Sequence, residues 1–246
     1  MTATAPSLQS DPIFAARPAL WLFDIDGTLL ISGGAGQHAM LRTLEREFEI
    51  DSVDGDIPAA GRTDFAITSD LFEQFGIEST EAVRERFRET YLTHLRDVLA
   101  ERRGRLLAGV VPLLERLGQI DGCHLALLTG NYYDAALAKL EAFEIASHFA
   151  ADADGRLVGG FGDDFAARND VAAVAFEAAE THFDTVDRDA TFVIGDTPSD
   201  VRCGRAIGAR TIAVATGMFS RSELAAAEPD FLVDSLDDLL DERDSS

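Results

Sequence analysis

Lysine is almost missing from these 246 residues: Lys139 is the only one, and arginine supplies the rest of the basic charge. Against 44 acidic residues this leaves a formal net charge of −23 at pH 7. Such a balance argues against nucleic acid as a partner, because two negative surfaces repel. Two readings of the acidity stay open: an ordinary acidic protein written in arginine-favouring codons, or a surface adapted to high salt. Cysteine is equally scarce. Cys123 and Cys203 each lie in or beside an apolar segment, and buried, unbonded thiols fit a reducing cytoplasm. No apolar run has the length of a membrane span. Met1 to Pro18 carry no basic region followed by an apolar stretch, so no signal peptide is expected. These absences predict a cytoplasmic protein without a membrane or nucleic-acid partner; monomer and homodimer both stay open.

What is present is ample core material, with 46% hydrophobic residues. The length allows one large domain, or one domain carrying an insertion. Apolar, β-rich runs recur at Ala19–Phe23, Cys123–Leu128, Ala190–Ile194, Thr211–Ala215 and Phe231–Val233. Helical spacing fills the intervals at Val110–Leu117, Tyr132–Phe143, Arg168–Phe183 and Pro198–Ile207. Strands alternating with helices predict an α/β fold: a doubly wound parallel sheet covered on both faces. From about Gly34 to Arg105 the alternation stops. Gly36–Phe48, Asp64–Phe75 and Glu81–Leu99 are amphipathic and helical. This predicts a helical insertion at 34–105 in a core formed by 19–33 and 106–246, with frayed ends at 1–18 and 241–246.

The residues suited to chemistry fall where the predicted strands end, which is where open α/β sheets bind ligands. Asp24-Ile25-Asp26-Gly27-Thr28 follows the first strand and sends two carboxylates to one side. Such a pair can divide the work between a nucleophile or metal ligand and a proton carrier. An Asp-Gly turn closing a strand is the plainer alternative. Leu128-Thr129-Gly130-Asn131 closes the second strand with a hydroxyl and a helix start, which suits an oxyanion or simply caps a helix. Gly195-Asp196-Thr197-Pro198-Ser199-Asp200 closes another. Carboxylate oxygens from Asp24, Asp196 and Asp200 would suit a hard cation such as Mg²⁺. Asp200 also reads as a first-turn helix acid beside Pro198.

Together these three strand ends resemble the haloacid dehalogenase superfamily of phosphohydrolases, from about Leu20 to Asp238. The resemblance implies a doubly wound core with an inserted α-helical cap and a Mg²⁺-dependent phosphatase acting on a small phosphorylated metabolite. Asp24 would be the nucleophile, Asp26 the acid and base, and Thr129 the phosphoryl holder, with Gly130 and Asn131 beside it. Asp24, Asp196, Asp200 and the Asp26 main chain would serve the metal. The family's usual lysine is not found where expected. Lys139 reads as a structural helix residue. Arg168 is the best substitute, the alternative being an arginine paired with Asp164 or Asp170; Arg205 is the weaker candidate. In the insertion, Ala60-Gly61-Arg62-Thr63-Asp64 is similar to the cap loop of phosphoglycolate phosphatase-like members. Arg62 would then meet substrate, or Thr63 merely caps a helix. A β-phosphoglucomutase-like isomerase and a non-catalytic phosphate binder are the alternatives. Gly33-Gly34-Ala35-Gly36 reads as a hinge.

Overall fold

A computed structural model describes residues 19–50, 57–101 and 103–240. The ends expected to fray, 1–18 and 241–246, lie outside the described residues. Six parallel strands form one sheet: β1 (Ala19–Phe23), β4 (Cys123–Leu128), β5 (Gly159–Gly160), β6 (Thr191–Gly195), β7 (Arg210–Val214) and β8 (Phe231–Val233). Their spatial order is β5-β4-β1-β6-β7-β8. The chain first builds outward from β1 on one side, then returns to build on the other. The reversal falls between β1 and β6, and a crevice opens at that point beyond the strand ends.

β1 is buried on both faces, which is why its sequence runs apolar without alternation. Trp21, Phe23, Leu125, Leu127, Phe192 and Ile194 pack one face against α4 (Val110–Gly118) and α5 (Tyr133–Ala142). Leu20, Leu22, Ala126, Leu128 and Val193 pack the other against α6 (Arg168–His182) and α7 (Pro198–Ala206). The short edge strand β5 was not foreseen. Its Gly160 is required by packing: a Cβ there would lie 2.1 Å from the Val171 carbonyl of α6.

Between β1 and β4 lie three longer helices, α1 (Ala35–Phe48), α2 (Asp64–Phe75) and α3 (Glu81–Glu101). They share their own apolar cluster, including Met40, Leu44, Ile67, Phe72, Phe87 and Tyr91. A two-stranded antiparallel ribbon of β2 (Leu30–Ile31) and β3 (Arg105–Leu106) brackets this helical layer where the chain leaves and re-enters. The layer touches the core near the strand ends. Asp64 N–H donates to Gly130 O at 2.7 Å and Phe65 N–H to Gly162 O at 3.2 Å. Gly34 caps α1 in the left-handed region, a conformation that suits glycine.

Candidate active site

Asp24 follows β1 and Asp196 follows β6, so the two carboxylates flank the crevice from adjacent strands. Asp24, Asp196 and Asp200 each offer an oxygen within 4.8 Å of the others, and all three are buried. Glycines make this approach possible. A Cβ on Gly27 would sit 2.4 Å from Asp196 Oδ2, and one on Gly217 would sit 1.6 Å from the same atom. Gly27 also holds φ at 83°, so any side chain there is strained twice over. Thr28 Oγ1 donates to Asp196 Oδ1 at 3.3 Å.

The three acids differ in role. Asp200 Oδ2 accepts from Thr197 N–H at 3.0 Å and Thr197 Oγ1 at 2.7 Å, closing the capping box of α7. Its Oδ1 accepts from Arg168. Asp200 is thus spent on fixing the loop and the arginine. Asp24 and Asp196 keep oxygens toward the crevice. Burial pushes Asp24 up to about 7, against the pull of Arg168 and with help from Asp200 and Asp26. Burial, then the charges of Asp24 and Asp200, push Asp196 up to about 8. The pair therefore titrates as a unit and holds back a proton at neutral pH.

Arg168 opens α6 and is 8% exposed. Its Nη2 donates to Asp24 Oδ1 at 3.3 Å and to Asp200 Oδ1. It does not pair with Asp164 or Asp170. Its Nε is buried with no partner among the described residues. Arg205, by contrast, is exposed on α7 and donates to the Glu228 carbonyl, away from the crevice.

Lys139 corrects the sequence reading. It is not merely a structural helix residue: its ammonium is buried in the site, 2.5 Å from Asp26 Oδ2 and 2.6 Å from Asn131 Oδ1. Helical side chains lean toward their own N-terminus. From α5, the flexible stem therefore points back toward the strand end, where its ammonium meets Asp26 and Asn131. Asn131 completes the cluster, with Nδ2 donating to Asp26 Oδ2 at 2.9 Å and to Thr129 Oγ1 at 2.7 Å. Thr129 Oγ1 accepts there, which leaves its proton for another acceptor. Burial alone would raise Asp26, but Lys139, then Asn131 and Ser32, outweigh it and hold the carboxyl below its ordinary value. The Asp26 side chain is 41% exposed and lines the cavity. Its carboxylate thus faces Lys139 rather than the acid trio, and only its main chain remains available to a metal.

Arg62 lines the cavity, but its guanidinium donates to Asp70 Oδ2 at 2.5 Å and to the Pro58 carbonyl. Thr63 does cap α2, accepting from Ala66 N–H at 3.1 Å. Gly130 serves contact between layers: a Cβ on it would lie 2.0 Å from the Arg62 carbonyl. Asp64, not singled out from sequence, is buried and accepts from Tyr132 N–H at 2.8 Å. Burial raises its carboxyl to about 6, against the pull of Lys139. A cavity of about 370 Å³ joins these groups between the sheet and the helical layer.

The sheet order, with its switch point between β1 and β6, is that of the haloacid dehalogenase-like fold. Residues 169–239 match the HAD-hydrolase-like family model. Solved structures extend the similarity over nearly the whole chain. CbbY from Rhodobacter sphaeroides, in complex with phosphate, aligns with a TM-score of 0.68 at 20% identity, covering 89% of this chain and 95% of its own. A hydrolase from Pseudomonas syringae gives 0.66 at 21%, covering 90% and 96%. A predicted phosphoglycolate phosphatase from Haemophilus somnus gives 0.66 at 19%, covering 91% and 96%. No curated protein sequence matches the chain.

Proposed function

We propose that this protein is a phosphatase that hydrolyses a small phosphate monoester with the help of Mg²⁺. The observation that carries the reading is the pairing of two acids, two residues apart, with opposite electrostatics. Asp24 lies deep among acids and Arg168, while Asp26 faces the cavity on Lys139. Asp24 attacks phosphorus and forms the aspartyl-phosphate as the ester oxygen leaves. Asp26 gives the leaving oxygen its proton, then takes one from the water that hydrolyses the acyl phosphate, returning Asp24. A phosphoryl dianion beside Asp26 raises that carboxyl by like-charge repulsion and so brings the proton the first step needs. Thr129, Lys139 and Arg168 hold the phosphoryl oxygens and balance their charge.

The residues fit a hard divalent cation. The donors are carboxylate oxygens, the glycine cradle leaves Asp196 room, and burial leaves the acid pair short of positive charge. Asp24, Asp196 and the Asp26 main-chain carbonyl would hold Mg²⁺, with Asp200 in support. When bound, the ion supplies charge neutralisation at the phosphoryl oxygens. We assign the helical layer at 34–105 as the cap of a core formed by 19–33 and 106–246. That layer roofs the cavity and supports exclusion of bulk water during the reaction.

The test is phosphate release from p-nitrophenyl phosphate and a set of phosphorylated metabolites, with Mg²⁺ and after exhaustive chelation. Activity is expected only with the ion. In Asp24→Asn, turnover should fall by at least ~10⁴-fold, as for loss of a nucleophile. Mass spectrometry of the quenched wild type should find phosphate on Asp24. Phosphate found on another residue refutes the assignment, as does full activity without metal.

A further inference from the structure

The cavity offers a phosphate end and a leaving-group end, and the charges around them are unequal. Every cation lining the cavity among the described residues is already engaged. Arg168 is held by Asp24 and Asp200, Lys139 by Asp26, and Arg62 by Asp70. The first two stand at the strand ends, where the phosphoryl group binds. Arg62 alone stands at the leaving-group end, and Asp70 cancels it. Asp64 adds a buried carboxylate to the same lining. Leu30, Ile31, Met40 and Ile67 add apolar lining beside the Ser32 and Tyr91 hydroxyls, and Met218, also in the lining, stands 87% exposed. Gln37 turns its amide nitrogen away to the Ile57 carbonyl at 2.6 Å.

We infer that the leaving-group end takes an uncharged, partly apolar alcohol, and that Asp70 is the positioning residue that sets this preference by neutralising Arg62. The inference rests on the phosphatase reading for its reaction, though not for its binding chemistry. A second anion on the substrate would meet Asp64 and Asp26 without a free cation to offset them, and would desolvate against aliphatic side chains. A short neutral ester meets neither cost.

Two esters of equal length separate the cases: 2-phosphoglycolate, which ends in a carboxylate, and ethyl phosphate, which ends in a methyl. We expect kcat/KM to favour ethyl phosphate in the wild type. Asp70 is exposed on α2, so Asp70→Asn should fold normally. It should shift the ratio toward phosphoglycolate by about three- to fivefold, the scale of one partly exposed ion pair. The shift should shrink as KCl screens the freed arginine. Adding Arg62→Gln to Asp70→Asn should remove it. Wild-type preference for phosphoglycolate overturns the inference, and so does a ratio unmoved by Asp70→Asn. If no ester is turned over, p-nitrophenyl phosphate included, the phosphatase reading fails on its own. The same ratio is then read as Kd by calorimetry on the same three proteins, and phosphoglycolate binding as tightly as ethyl phosphate overturns the inference.

Discussion

Two carboxylates separated by one residue live in opposite worlds. Asp24 shares one arginine with Asp200 and sits near Asp196, so burial wins and its proton is held tightly. Asp26 has a lysine to itself and an asparagine besides, so its proton is given up easily. The difference lies in stoichiometry of charge rather than in burial alone. On the Arg168 side, acids outnumber fixed cations and the protein leaves a deficit for something else to fill. On the Lys139 side the account is closed within the chain. A divalent ion would meet the first need; proton traffic suits the second.

Breaking each side separately gives the largest effects. Arg168→Ala should cost about 2–4 kcal/mol in transition-state stabilisation, the range for one preorganised donor. Arg168→Lys should recover part of it, since charge returns without the fork. Lys139→Ala should cost kcat/KM a similar amount and do one thing more. Without its ammonium, Asp26 rises, so the alkaline limb of the kcat/KM profile, set by the acid that protonates the leaving oxygen, should move to higher pH. Profiles of both variants on one substrate decide the matter. An unmoved limb in Lys139→Ala would erase the distinction between the two sides.

Titrating stability is a gentler probe. Asp24, Asp196 and Asp64 all have folded values above their unfolded ones, at about 7, 8 and 6. Protonated, each stabilises the fold; the contribution is complete below about 4 and lost as pH rises through these values. Asp26 runs the other way, stabilising above about 4 and losing that below it. Metal-free Tm should therefore fall between pH 5 and 8.5. Saturating Mg²⁺ should bind more tightly as the protons leave, and should flatten or reverse the decline. A metal-free Tm rising over that interval would contradict the charge deficit. The smallest effect concerns the surface. With a net charge of −23, self-repulsion should relax as KCl is added, and Tm at fixed pH should rise by a few degrees toward molar salt.

The strand ends were legible in sequence because they are local. Asp24, Thr129 and Asp196 each follow an apolar run whose length and flanking glycine announce a buried strand meeting a turn. The parallel sheet was legible from the same runs, within a residue or so at each end. Lys139 was not, because its partner lies 113 residues away. Only the path of α5 against the sheet brings the two together. One signal was available: the sole lysine of the chain sits in an alanine-rich helix among Ala135, Ala136, Ala138 and Leu140. Asp134 and Glu141 are exposed on the same helix, but a lysine among buried alanines and leucine needs a buried partner. The β2/β3 ribbon and β5 are two residues long in each strand, too short for any periodicity to register. Arg62 was read from its loop alone, and Asp70, one helical element onward, changes what its charge can do.

The solitary lysine also makes this molecule an unusual chemical reporter. An amine-directed reagent finds two kinds of target in the whole chain: the α-amino group and Lys139 Nζ. The second is buried and salt-bridged in the lining of the cavity. Acylation of that single side chain, followed by peptide mass spectrometry, therefore measures access to the cavity with no engineered label. Phosphate analogues that fill the chamber should slow it, and departure of the helical roof should hasten it.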